Sequence, residues 1–216
     1  NQVQYWHLEY CWHFTSVHMN KLSVMASTEL RMFTMLHDNG RFKTSTLVRF
    51  VKQYGHQLRL FHLGGISHAK LDGESLLRVI LDHCPHLISQ GKWDLSGWGP
   101  ISRDGFDYFL DKVGDSLNSF GASEHDEDGA ARYLEGVATQ CPNIESIDIS
   151  YSIDYSDLIV SSLSRMKNLR QVVLRDSSDE MYRALVPKLP QVEFSDWESK
   201  DTFISFTDPA RKTFLD

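Results

Sequence analysis

Residues 141–150 read "CPNIESIDIS": a Cys-Pro pair, then Ile144, Ile147 and Ile149 in the pattern apolar-x-x-apolar-x-apolar. Proline lacks a backbone donor and disfavours helical geometry in the residue before it, so the pair predicts a helix stop. The alternating isoleucines predict a short strand directly after it. Free cysteine is small and among the most buried residue types, so Cys141 is expected to fill the bend between helix and strand.

The same spacing recurs outward from this stretch. It is met at Leu169, Val172 and Leu174, at Leu58, Phe61 and Leu63, at Leu30, Phe33 and Met35, and loosely at Leu117, Phe120 and Ala122. A distorted copy runs from Leu87 through Trp93 to Leu95, behind a second Cys-Pro pair at Cys84, and a weak copy begins at Val192. The first positions, 30, 58, 87, 117, 144, 169 and 192, lie 28, 29, 30, 27, 25 and 23 residues apart. Between them, segments such as "ESLLRVILDHC" and "DGAARYLEGVATQC" carry apolar residues at helical spacing. Several open on capping types: Thr44 or Ser45, Asp72, Asp104, Asp128 and Asp154. Each unit therefore reads as strand, turn, helix and return. The expectation is an α/β solenoid with parallel strands on one face and helices on the other.

These units resemble leucine-rich repeats of the longer, ribonuclease-inhibitor-like or cysteine-containing type. "CPNIESIDIS" and "CPHL" look like the helix-end signature of such repeats in F-box proteins. The resemblance covers about residues 28–197. It implies six to seven strand–helix units with a concave parallel sheet. Residues 29–197 form the solenoid in this reading, and 198–216 a C-terminal cap or tail. Two departures from the pattern are the insertion "SQGKWDLSGWG" and the small pair Gly121 and Ala122.

Residues 1–28 are expected to form an N-terminal helical cap, with Trp6, Tyr10, Phe14 and Val17 covering the first strand. In that helix His7, Cys11, His13 and His18 do not make a zinc set, because their spacing matches no common finger. "EHDEDGAARYLE" (124–135) imitates a calcium loop, but Glu124 and Arg132 stand at unsuitable positions, so a turn capped by Asp128 is expected instead. The paired glycines of "HLGGISH" (62–68) read as a turn leaving a strand. Gly-x-Ser-x-Gly, His-Glu-x-x-His and a phosphate-cradling Gly-Lys-Ser/Thr do not occur in the sequence. The expectation is a non-catalytic protein with no cofactor and no metal.

Cys84 and Cys141 fall two units apart, too far for a disulfide. Three widely spaced cysteines argue for a reducing, intracellular compartment, cytoplasmic, nuclear or mitochondrial. No apolar run reaches the ~20 residues of a membrane helix. Charge is uneven. Residues 1–70 carry 8 Lys/Arg against 3 Asp/Glu (+5), and residues 71–150 carry 5 against 15 (−10). An acidic middle repels nucleic acid and favours a basic protein partner.

Alternation points Met32, Thr34, Leu60, His62, Lys92, Asp94, Ser119, Ser146, Asp148, Gln171, Val173 and Arg175 outward, with Trp98 and Tyr151 just beyond their strands. The expected partner contacts are His62, Asp94, Trp98, Ser146, Asp148, Tyr151, Gln171 and Arg175, with the aromatic and arginine side chains as anchors. What the resemblance implies is an adaptor or substrate receptor of the F-box type, as in ubiquitin ligases, which requires an F-box upstream of Asn1. The alternative is a structural subunit or assembly factor of a large complex, similar to leucine-rich-repeat proteins related to mitochondrial coupling factor B.

Overall fold

A computed structural model describes residues 4–9, 15–25, 29–36, 43–64, 72–96, 98, 101–123, 127–150, 157–175 and 183–195. Among the described residues, eight strands form two sheets. The first holds β1 (Tyr5–Glu9), β2 (Met32–Leu36) and β3 (Leu60–Gly64) in that order. The second holds β4 (Lys92–Asp94), β5 (Ser119–Ser123), β6 (Ser146–Ser150), β7 (Gln171–Arg175) and β8 (Glu193–Ser195). All pairings are parallel and join strands in chain order. Helices α1 (Ser16–Met25), α2 (Thr44–Tyr54), α3 (Gly73–His83), α4 (Pro85–Ile88), α5 (Arg103–Val113), α6 (Glu127–Gln140) and α7 (Asp157–Arg165) intervene.

Register explains the spacing of the apolar residues. Trp6, Phe33 and Phe61 are paired neighbours, as are Trp93, Phe120, Ile147, Val172 and Phe194. These positions meet the helices. Phe33 lies against Phe50 of α2 at 4.8 Å, Trp93 against Phe109 of α5 at 5.4 Å, and Phe120 against Phe106 and Tyr133 at 6.0 and 6.4 Å. One continuous apolar cluster runs from Met19 to Val192. Cys84 and Cys141 are buried in it, each at the junction of a helix and the following turn.

A backbone contact recurs at the strand starts. Asn118 donates to the Gly91 carbonyl, Glu145 to Asn118, Arg170 to Glu145 and Glu193 to Arg170, all at 2.7–2.8 Å. Arg31 to Gln4 and Arg59 to Arg31 do the same in the first sheet, at 2.8 and 2.7 Å. Side chains add a parallel set. Thr44 Oγ1 accepts from Asp72 N and Glu74 Oε2 from Ser102 N, both at 2.9 Å, and Asn143 and Asn168 donate to the carbonyls of Asp115 and Pro142 at 2.8 Å.

The chain departs from expectation in four places. Tyr5–Glu9 is a strand paired with β2, which corrects the all-helical cap. Its side chains alternate: Tyr5 and His7 are exposed, while Trp6 and Leu8 pack on the core. Val3, Trp6 and Leu8 carry the same spacing as Leu30, Phe33 and Met35 in the sequence, and Trp6 and Leu8 reach the core from the strand. Helix α1 comes later, and Val17, expected against the first strand, is 61% exposed.

Second, the stretched copy at Leu87 breaks the sheet. Pro85–Ile88 makes an extra helical turn, and Gly91 returns the chain at φ +67°, so β4 pairs with β5 and not with β3. Third, the caps shift. Asp72 does cap α3 through Ser75 N at 3.0 Å, but Lys43 precedes α2, Ser102 caps α5, and Asp128 lies inside α6. Fourth, several outward positions are covered. Thr34, Leu60, Asp148 and Val173 are all buried.

Candidate partner-binding face

The strand faces opposite the helices carry two rows of residues, the first of them polar. The nearer row is Lys92, Ser119, Ser146, Gln171 and Glu193, paired neighbours across the second sheet. Lys92 and Glu193 are exposed, and Ser119, Ser146 and Gln171 are half-buried. Ser146 Oγ reaches Gln171 Oε1 at 3.5 Å. The second row is Asp94, Gly121, Asp148 and Val173 in the second sheet, matched by His7, Thr34 and His62 in the first.

Asp94 is half-buried, and its Oδ1 accepts from Ser96 N at 2.8 Å. It leans across Gly121: a carbon added there would stand 2.9 Å from the same oxygen. The small residue at 121, an irregularity of the repeat pattern, therefore makes room for the neighbouring carboxylate. In the first sheet His7 Nδ1 and Thr34 Oγ1 are 2.6 Å apart. Burial holds the His62 imidazole below its ordinary pKa of 6.5; the Asp94 charge pulls it up and His7 pushes it down.

The expected contact residues are thus only partly assembled. The Asp94 charge acts on His62, and Ser146 and Gln171 are neighbours on one face. Asp148 is in the row but 2% exposed, so it lines the floor rather than offering a free charge. Trp98 stands outside both rows. It packs on the core, and its backbone carbonyl lies 1.8 Å from where a Gly73 Cβ would be. Arg175 ends β7, and Tyr151 lies outside the described residues. His7 was assigned to a cap helix by its apolar neighbours; the alternation of Trp6 and Leu8 is the signal that puts it beside Thr34.

Burial makes the two thiols poor nucleophiles near neutral pH. Burial pushes Cys84 up to about 12, and burial with the Asp115 charge does the same for Cys141. Among the described residues, no three His, Cys, Asp or Glu side chains are placed to hold a metal ion, and no helix is long and apolar enough to cross a membrane. Cys11, His13, Glu124 and Asp126 lie outside those residues. No protein-family model and no curated protein sequence matches this chain.

Proposed function

We propose that the chain is a leucine-rich repeat solenoid acting as a non-catalytic protein-interaction module, an adaptor that holds a protein partner on its concave sheet face. Three features support the repeat reading. The strands pair in chain order, the contacts at strand starts recur, and the Thr44, Glu74 and Asn143 hydrogen bonds each link residues 28 positions apart. Cys84 and Cys141 each directly follow a helix, α3 and α6.

The interaction reading is carried by the in-register row Ser119, Ser146 and Gln171 beside Asp94. Such a row offers hydrogen-bonding side chains at the ~4.8 Å strand spacing, a pitch suited to tracking along another polypeptide. Asp94 and the acidic character of residues 71–150 favour a basic contact on the partner.

Photo-crosslinking tests this. A crosslinker at Ser146 or Gln171 is expected to capture one defined protein from cell extract, sensitive to Asp94→Lys. The same group at Lys112 on α5 is expected to capture nothing defined. Equal capture from both sides, or capture indifferent to Asp94→Lys, would remove the sheet-face assignment.

A further inference from the structure

The two sheets part between β3 and β4, which do not pair. At every other described junction a backbone N–H at the strand start donates to the preceding strand. Here the Arg59 carbonyl, which would receive that bond, accepts from the side-chain amide of Gln90. A flexible side chain replaces a backbone ladder, and β4 has only three residues to pair on its other side.

The helix side of the same boundary is well tied. Glu74 Oε2 accepts from Ser102 N at 2.9 Å, joining α3 to the start of α5. The Tyr108 hydroxyl donates to Asp82, and the Arg78 guanidinium lies 5.0 Å from the Tyr108 ring centre. Movement at the boundary would therefore pivot on the helices and open the sheet face. Local opening is drawn from regions with few backbone hydrogen bonds.

The side chains at the mouth of this seam are ionisable. His62 is the third residue of β3 and Asp94 the third of β4, so they hold matching places on either side. The charges acting on His62 include Asp94 from β4 and His7 from β1; its β2 partner, Thr34, does not titrate. We propose that the β3/β4 seam is a proton-operated hinge: a proton on His62 opens the sheet face there, and Asp94 restrains the opening.

The direction follows from burial. A buried imidazole gains more from water when charged, and opening the seam supplies that water. Because burial keeps His62 below 6.5, the closed chain binds the proton less well than an open one, and the open form gains as pH falls below that value. Asp94 partly offsets the cost, and His7 adds to it.

Hydrogen exchange of the intact chain, corrected for intrinsic exchange and followed by mass spectrometry, tests the proposal. Protection of peptides spanning 58–64 and 90–96 is expected to fall about tenfold between about pH 7.5 and about pH 5, while 144–150 and 169–175 hold theirs. His62→Gln should flatten the response. Asp94→Asn should deepen the loss of seam protection in acid, and His7→Gln should lessen it. Seam protection that ignores pH in the wild type, or a transition that survives His62→Gln, would overturn the hinge. If His62→Gln loses its cooperative melt, the opposite changes in the other two variants decide, and changes in one direction overturn it.

Discussion

The Glu74 carboxylate, in the first turn of α3, accepts the backbone N–H of Ser102, the residue that caps α5, at 2.9 Å. One side chain thus serves a helix start 28 residues away, while its other oxygen, Oε1, holds Arg78 at 3.1 Å.

Replacing Glu74 by Ala is expected to cost about 1–2 kcal/mol in urea unfolding at neutral pH, as for a charge-assisted hydrogen bond with a retained donor. The Ser102 bonds hold Glu74 below its ordinary 4.5, so its contribution is present above that value. It is lost as pH falls through the folded-state value, and the gap between variant and wild type should close in acid.

The buried cysteines are expected to resist alkylation. At about pH 8 iodoacetamide should leave Cys84 and Cys141 unmodified in native protein and label both in urea, read by peptide mass. Their folded values lie at about 12 against an ordinary 9.0, so the unfolded chain loses these protons first. Stability should decline as pH rises above about 9. Cys→Ser at either site is expected to cost about 1–3 kcal/mol, since a hydroxyl is then buried at an apolar bend.

Two glycines are required by close approach. An Ala at Gly91 meets a positive φ and places its carbon 2.0 Å from the Ser116 carbonyl; at Gly73 the carbon lies 1.8 Å from that of Trp98. Each substitution is expected to destabilise by about 2 kcal/mol or more, measured by urea midpoint.

Trp6 and Val17 separate strand from helix at the N-terminus. Trp6 is stacked on Phe50 with 6.1 Å between ring centres, and Trp6→Ala is expected to cost about 2 kcal/mol or more. Val17, at 61% exposure, should tolerate Ser within about 0.5 kcal/mol. Equal losses would favour a helix burying both.

Much of the fold was legible because strands and helices bury residues with different periods. Phe33, Phe120, Ile147 and Val172 fall at the positions that parallel pairing then aligns. The N-terminal strand is hidden in the sequence because aromatic residues at 6, 10 and 14 also fit a helical period. In the local sequence the strand's own alternation is only five residues long. The contact face was legible as a list of outward positions but not as a surface. Alternation says which way a side chain points, and says nothing of what lies over it.

From the sequence alone came the Cys-Pro stops, the near-constant spacing and the inward register, because proline geometry and apolar periodicity act over a few residues. Tertiary structure decided the rest. It placed β1 in the first sheet, parted β3 from β4 at the extra turn of Pro85–Ile88, and covered Asp148. It also brought His62 within reach of the Asp94 charge. Those outcomes depend on which strand edges meet and how much water remains between distant residues, and no local pattern carries that information.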